Sequence, residues 1–184
     1  MSITLAQAST IVDVALKKGR ELNLRPLVVA VLDAGGHLVA YKREDKSAIL
    51  RFEIASGKAY GALGMGFGSR GLFERAQKNP MFITTLGMVS QGRVMAVPGG
   101  VLIQNAQGDT VGAVGISGDT SDNDEACAVA GIAAAGLHAE TGLGKGEQER
   151  GTHAARLLHH ADPSAGHGLA PVARRRSRGL YPCR

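Results

Sequence analysis

The chain has 184 residues, of which 44% are hydrophobic, and it carries a formal net charge of +5. This length lies within the range of about 100–200 residues that one domain usually has, and the apolar content is sufficient for one core. The charge is unevenly distributed: residues 1–143 hold 13 basic and 13 acidic residues, whereas residues 144–184 hold eight basic and three acidic residues. A net-neutral domain does not attract nucleic acid, and we therefore exclude nucleic acid as a partner of residues 1–143.

The cysteines and the N-terminus bear on the cellular compartment. Cys127 lies in an apolar helical pattern and Cys183 near the chain end, which is not a disulfide framework and favours a reducing compartment. The first residues show no charged segment followed by an apolar run, and no stretch approaches the roughly 18 apolar residues that a membrane span requires. We expect a cytoplasmic protein that does not bind membranes.

The N-terminal segment predicts a helix followed by a β-hairpin. Thr4 and Gln7 have the spacing of a capping box, and apolar residues then recur at helical intervals, which predicts a helix over residues 4–22. Residues 27–32 form an unbroken apolar run, typical of a strand that is covered on both faces. An Asp-Ala-Gly-Gly turn then leads into a second strand over residues 37–41.

The pattern further along the chain predicts a second helix over residues 47–62 and a partly helical connection over residues 64–92. A β signal follows over residues 94–103, bent at a Pro-Gly-Gly interruption, and a further strand over residues 110–117. Residues 117–137 begin with acidic and hydroxyl side chains and continue with small residues, which is typical of a capped helix that packs closely. The order α-β-β-α-(α)-β-β-α predicts an α+β fold, with an antiparallel sheet flanked by helices in a profilin- or PAS-like layered sandwich.

Three side chains of the second predicted helix are candidate catalytic groups. Glu53, Lys58 and Tyr60 supply an acid, an amine and a phenol within two helical turns. With Arg25 or Arg51 they would line a pocket for a small acid. The alternative is that Lys58 pairs with a carboxylate at a subunit contact.

Other chemical side chains are open to simpler interpretations. His37 follows the predicted hairpin tip beside Asp33, which suits a metal or general-base role, or it is an ordinary surface histidine of a turn. Residues 119–125 hold enough carboxylates for a hard cation but lack the spacing of a calcium loop, so we interpret them as helix capping and assign no metal site.

Residues 64–68 follow a helix and lack the Gly-Lys-Ser/Thr ending of a phosphate loop, which argues against nucleotide binding. Cys127 has no activating partner in the sequence and is predicted to lie in the core.

The last part of the chain differs in composition from the rest. Residues 144–184 contain four histidines and a run of arginines, with few aliphatic residues. Such a segment either binds metal, haem or nucleic acid, or is a frame-shifted extension without a role. We predict a basic, disordered extension without function, separate from a domain that spans residues 1–143.

Several segments, taken in order, resemble the GlcG/HbpS family, the haem-degrading domain that also forms the C-terminal part of PduO-type proteins. The resemblance covers residues 3–140. The matching segments are residues 29–40, 53–55, 58–60, 98–103 and 112–118, followed by Asp124 and the small-residue helix.

The resemblance implies an antiparallel sheet flanked by helices, assembly into homo-dimers or higher oligomers, and haem as the cofactor. Haem-binding members of the PduO type use a histidine of the first helix as an axial ligand, where this chain has Lys17 and Lys18. Lysine ligates iron only when it is deprotonated, so this ligand position is altered here. From the resemblance and the candidates above, we assign ligand-binding roles to six residues. They are Lys18, Arg25, His37, Lys58, Gly99 and Gly100.

Three functions remain open at this point. The leading hypothesis is an oligomeric ligand-binding protein of the GlcG/HbpS type that binds haem or a related tetrapyrrole. The alternative is an enzyme or accessory factor acting on a small hydroxy- or oxo-acid in glycolate- or diol-type metabolism, with Glu53, Lys58 and Tyr60 as its reacting groups. The third is an assembly scaffold whose oligomer is itself the function, since a fold does not determine a function.

Overall fold

A computed structural model describes residues 2–143, which contain five α-helices and one five-stranded sheet. The helices are α1 (Leu5–Glu21), α2 (Arg51–Met65), α3 (Ser69–Lys78), α4 (Pro80–Val89) and α5 (Ser121–Ala134). The strands are β1 (Val28–Asp33), β2 (Leu38–Arg43), β3 (Gly100–Gln104), β4 (Thr110–Ser117) and β5 (His138–Glu140). The strand order is β2-β1-β4-β3-β5 with antiparallel pairing throughout, which confirms the predicted α+β class. The predicted extension, residues 144–184, lies outside the described residues.

The sheet lies between two layers of helices. Helices α1 and α5 pack on one face, where Val29 and Val31 of β1 belong to the main core cluster. Helix α2 packs on the other face against Val28 and Ala30. Strand β1 is therefore covered on both faces, as its unbroken apolar run predicts.

Glycines set how closely the layers approach each other. A Cβ atom on Gly115 of β4 would lie 1.8 Å from the carbonyl oxygen of Ala55 in α2. On the opposite face, a Cβ atom on Gly131 of α5 would lie 2.6 Å from the carbonyl oxygen of Ile11 in α1. The small residues of α5 therefore allow close packing between helices, as the sequence predicts. Cys127 of α5 is buried, and burial raises the pKa of its thiol to about 11.

Local signals correctly predict the start of the chain. Thr4 caps α1, because its Oγ1 accepts from the Gln7 amide at 3.2 Å while Gln7 Oε1 accepts from the Thr4 amide at 3.1 Å. The β1–β2 hairpin turns where the Asp33 carboxylate accepts from the amides of Gly35 at 2.8 Å and His37 at 2.9 Å. Both the predicted helix and the predicted hairpin are confirmed.

The second half of the chain departs from several predictions. Helix α2 begins at Arg51 rather than at residue 47. The partly helical connection predicted over residues 64–92 is confirmed, and its helical parts are α3 and α4. The predicted strand over residues 94–97 is wrong. Its Met95 amide donates to the carbonyl of Gly57 in α2 at 3.1 Å, so this segment is held against a helix and β3 begins only at residue 100.

Strand β5 is absent from the predicted order, and the residues around it are joined to the start of α3. The carboxylate of Glu140 accepts from the amides of Gly68 at 2.7 Å and Gly142 at 2.6 Å, and the Arg70 amide donates to the Thr141 carbonyl at 3.2 Å. A Cβ atom on Gly68 would lie 2.1 Å from the Thr141 carbonyl carbon. Only glycine permits this approach, so the β5–α3 junction depends on residue 68.

Candidate functional site

A buried ion pair joins α2 to α5 across the end of β4. Lys58 is 2% exposed, and its Nζ donates to Oδ2 of Asp124 at 2.8 Å and to the carbonyl of Ile116 at 2.8 Å. Burial lowers the pKa of Lys58, while the Asp124 carboxylate acts in the opposite direction. The other carboxylate oxygen of Asp124 accepts from the Asp119 amide at 3.1 Å, so this aspartate also organises the start of α5.

Gly99 and Gly100 lie directly against this ion pair. Gly99 has a φ of +107°, and a Cβ atom there would lie 2.9 Å from Lys58 Nζ. A Cβ atom on Gly100 would lie 2.3 Å from the Lys58 carbonyl oxygen, and the Gly100 amide donates to Oγ of Ser69 at 2.7 Å. The structure thus brings together Lys58, Gly99 and Gly100, three of the predicted ligand-binding residues, but through contacts with each other rather than on an open surface.

A second charged group lies beside this pair. Arg70 of α3 donates through Nε to Glu125 Oε1 at 2.8 Å and through a terminal nitrogen to Asp122. Burial raises the pKa of Glu125, whereas the hydrogen bond from Arg70 lowers it. The second carboxylate oxygen of Glu125 is buried and has no hydrogen-bond partner among residues 2–143. Arg70 is not among the residues predicted from the sequence, because nothing local indicates that α3 lies beside the start of α5.

The acidic segment before α5 works as a cap. Asp119 accepts from the Asn123 side chain at 2.7 Å, from the Thr120 amide at 2.9 Å and from the Arg25 amide at 3.1 Å. These hydrogen bonds lower the pKa of Asp119 to about 2, with the bond from Asn123 as the largest cause. Thr120 Oγ1 accepts from the Asn123 amide at 3.3 Å. The described residues contain no group of three or more candidate metal ligands.

An exposed cluster lies at the tip of the β1–β2 hairpin, and we call Asp33, His37, Tyr60 and Arg93 the hairpin-tip cluster. His37 is exposed, with Nδ1 at 3.3 Å from Asp33 Oδ1. Hydrogen bonds lower the pKa of Asp33, with the bond from the His37 amide as the largest cause. The Tyr60 ring lies against Gly36, and the Arg93 guanidinium lies 3.6 Å from the centroid of that ring. The cluster presents an imidazole and a guanidinium to solvent, while the Tyr60 ring is partly buried beneath them.

The three candidate catalytic groups of α2 do not converge. Glu53 is exposed, Tyr60 is partly buried at the hairpin tip, and Lys58 is buried beneath the opposite face of the helix. Glu53 and Tyr60 are seven residues apart and share a helix face, which Lys58 does not. The arrangement gives a small acid no single surface formed by all three side chains.

The remaining predicted ligand-binding residues lie elsewhere. Lys18 of α1 is partly exposed and has Nζ at 3.7 Å from Glu21 Oε2. Arg25 is exposed in the loop before β1, where the Arg20 side chain donates to its carbonyl at 2.9 Å. Neither residue belongs to the Lys58 pair or to the hairpin-tip cluster.

A cleft that the sequence does not predict lies between α3 and α4. It has a volume of about 680 Å³, is more open to solvent than enclosed, and includes Phe67, Glu74, Arg75, Lys78 and Phe82 in its lining. The Arg75 guanidinium carbon lies 5.5 Å from the centroid of the Phe67 ring and 5.4 Å from that of Phe82. The spacing of Arg75 and Lys78 on one helix is a weak signal, and both rings lie near Arg75 only because α3 and α4 fold back on each other.

An antiparallel sheet between α1 with α5 on one face and α2 on the other defines a three-layered α+β domain. The chain belongs to the HbpS-like family, because the family model described as "Haem degrading protein HbpS-like" matches residues 3–133. The resemblance seen in the sequence is confirmed. No helix of the described residues is long and apolar enough to cross a membrane.

Known relatives agree with this assignment. An uncharacterised 15.0 kDa protein from the dhaT-dhaS intergenic region of Citrobacter freundii is 32% identical over 124 residues, which cover 67% of this chain and 84% of that protein. The PduOC:heme complex is 25% identical with a TM-score of 0.67, over 74% of this chain and 97% of that one. HbpS is 27% identical with a TM-score of 0.64, over 72% of this chain and 89% of that one. The Klebsiella pneumoniae protein ORFY is 28% identical with a TM-score of 0.66, over 73% and 90% of the two chains.

Proposed function

We propose that this protein binds haem or a related tetrapyrrole and does so as a homo-oligomer. The single observation that carries the proposal is the similarity to the PduOC:heme complex over 74% of this chain, within a family described as haem degrading. A cytoplasmic location and a domain that ends at residue 143 stay predictions.

The first helix does not offer the ligand that the resemblance implies. Lys17 and Lys18 stand there, and the Lys18 ammonium is paired with Glu21. A protonated amine has no lone pair for iron. A haem that coordinates this chain therefore needs another residue.

His37 fits that role best among the described residues. Its Nδ1 is paired with Asp33, which leaves Nε2 directed away from that pair, and a carboxylate that orients a histidine in this way is a common arrangement at metal sites. Arg93, which is stacked on Tyr60 beside the hairpin, offers a cation for a propionate of the porphyrin. Bound haem would supply an iron centre that accepts the imidazole.

Self-association is supported by α4. This helix has no charged side chain and no buried residue, and Met81, Met88 and Val89 are each more than three-quarters exposed. A helix of such apolar composition is usually buried. A second copy of this chain is the partner it fits, because two uncharged faces meet around a two-fold axis without like-charge repulsion.

The test is a titration of the full chain with hemin, followed by the Soret band. We expect stoichiometric binding with a shifted Soret band, and loss of the imidazole-type spectrum in His37→Ala. His138→Ala, which removes another exposed histidine, is the matched control. Iron-free protoporphyrin IX is expected to bind wild type and His37→Ala equally, since only the iron ligand has been removed.

The four histidines at positions 153, 159, 160 and 167 require a separate control. A variant with alanine at all four positions is expected to keep the wild-type Soret spectrum. Absence of hemin binding by wild type at micromolar concentration would refute haem as the ligand. Loss of binding in the four-histidine variant but not in His37→Ala would refute the role of His37.

The enzyme alternative receives no support from a specific contact. It requires Glu53, Lys58 and Tyr60 to face one substrate, whereas Lys58 is committed to Asp124 and Ile116 beneath the helix. Action on a small hydroxy- or oxo-acid therefore stays a prediction from the sequence.

A further inference from the structure

We infer that the cleft between α3 and α4 binds an organic carboxylate with an apolar body, and that Arg75 receives the carboxylate. The cleft is formed by residues other than the hairpin-tip cluster and the Lys58 ion pair. The inference does not depend on haem binding.

Arg75 is a cation that is positioned but not neutralised. Its guanidinium lies over both the Phe67 and the Phe82 ring, and it has no carboxylate partner among residues 2–143. By contrast, Arg20 pairs with Glu44 at 2.9 Å, and Arg70 pairs with Glu125. A guanidinium held by two rings presents its fork of N–H donors in a restricted orientation, and a carboxylate is the group that this fork matches.

The dimensions of the cleft favour an occupant larger than a simple inorganic anion. Its volume of about 680 Å³ lies within the range of about 300–1,000 Å³ that is typical of small-molecule sites. Phe67 and Phe82 supply apolar walls, and Gly71 and Gly142 contribute backbone without a side chain. A ligand that fills this volume carries an apolar body beside its charged group.

The charges of the lining favour one negative charge on the ligand. Lys78 follows Arg75 by three residues on α3 and adds a second cation, whereas Glu74 places one carboxylate in the same lining. No ion pair among these three side chains is formed within residues 2–143. Two cations against one carboxylate leave the cleft with one net positive charge.

The test is calorimetric titration of the full chain with 2-naphthoate, and with 2-naphthamide as its neutral counterpart. We expect 2-naphthoate to bind and the amide to bind at least tenfold more weakly. Arg75→Gln is expected to weaken 2-naphthoate about tenfold, as loss of a charge-assisted hydrogen bond predicts. Glu74→Gln, next to it in the same lining, is expected to strengthen binding a few-fold because it removes a repelling charge.

Two controls separate binding from folding. Arg43→Gln removes an exposed arginine of β2 outside the cleft and is expected to leave the affinity unchanged. Arg75→Lys keeps the charge without the fork and is expected to bind with intermediate affinity, while circular dichroism confirms that each variant is folded. No binding of 2-naphthoate at millimolar concentration, equal affinity for acid and amide, or equal affinity of folded Arg75→Gln and wild type would each overturn the inference.

Discussion

The ammonium of Lys58 lies 2.8 Å from the carboxylate of Asp124, and the two side chains are only 3% and 2% exposed. This pair ties α2, on one face of the sheet, to the start of α5, which packs on the other. Its burial explains why two glycines, at positions 99 and 100, must stand beside it. The pair therefore holds the two helix layers in register at this end of the sheet.

Removal of one partner of this pair is expected to be strongly destabilising. Lys58→Met leaves the Asp124 carboxylate buried without its cation, which is expected to cost about 3–5 kcal/mol of unfolding free energy. Urea denaturation followed by circular dichroism measures the loss. Lys17→Met, at an exposed position of α1, is the matched control and should change stability by less than about 0.5 kcal/mol.

The double variant Lys58→Met with Asp124→Leu tests whether the unpaired buried charge of Asp124 causes this loss of stability. Because neither charge remains, it should recover most of the stability that Lys58→Met loses. If the unfolding free energy of Lys58→Met lies within about 1 kcal/mol of that of wild type, the pair is not the structural tie described above.

Asp119 makes the stability of the protein dependent on acid pH. Its pKa is about 2 in the folded chain against an ordinary value of 3.8, so the folded state favours the charged carboxylate. This contribution is fully present above the pKa of the unfolded chain and is lost as the pH falls from 3.8 through about 2.

The measurement is the unfolding free energy of wild type and Asp119→Asn across this range. The difference between them should be constant near neutral pH and should shrink as the pH falls from 3.8 through about 2, because Asp119 becomes protonated and loses its charge over this range. Asp45→Asn, at an exposed position, should show no such trend. A pH-independent difference for Asp119→Asn would contradict the cap described here.

Gly68 is the residue on which the β5–α3 junction depends. In Gly68→Ala the new methyl group would lie 2.1 Å from the Thr141 carbonyl carbon. Because the atoms that it meets belong to the backbone of Thr141, no side chain can turn away and the two segments of the junction must move apart. We expect a loss of about 1–3 kcal/mol, as is usual when a well-packed site is overfilled. Thermal unfolding monitored by circular dichroism checks it.

Gly64→Ala is a matched control for Gly68→Ala. A Cβ atom at residue 64 meets no other atom within 4 Å, and the residue lies inside α2. Alanine there should be neutral or should stabilise the helix by up to about 1 kcal/mol. We therefore expect Gly68→Ala to lower the stability and Gly64→Ala not to lower it, and equal effects of the two substitutions would show that the junction tolerates a side chain.

The parts of the fold that could be predicted are those specified by neighbouring residues. The capping box of Thr4 and Gln7 and the turn at Asp33 are formed by hydrogen bonds between residues only a few positions apart, so the sequence pattern predicts them. The three-residue strand β5 has no alternation to detect, and it forms because β3 offers a free edge and Gly68 admits the next residues. Residues 94–97 resemble a strand in composition, but a local pattern does not show that the Met95 amide has a helix carbonyl as its partner.

The candidate sites follow the same division. His37 and Lys58 could be selected from the sequence because their residue types are chemically distinctive. Their different surroundings, one exposed beside Asp33 and the other buried against Asp124, depend on tertiary packing. Arg75 could not be selected, because the two rings that hold it come from Phe67 before α3 and from Phe82 on α4.

The outer face of α4 gives the sharpest prediction about assembly. If this uncharged face contacts the same face of a second copy, Met88→Glu places a charge from each subunit close to the two-fold axis. We expect wild type to sediment as a dimer or larger species at about 10 μM and Met88→Glu to sediment as a monomer, since repulsion and desolvation both oppose the contact. Sedimentation velocity distinguishes these species.

Leu5→Glu is the matched control for Met88→Glu, because Leu5 is also an exposed apolar residue but lies on α1. It introduces the same charge and should leave the assembly intact. A wild-type monomer at about 10 μM, or a Met88→Glu variant that assembles as wild type does, would exclude α4 as the interface. In the second case the interface must use another surface, and the exposure of Met81, Met88 and Val89 would have to be explained by a partner other than this chain.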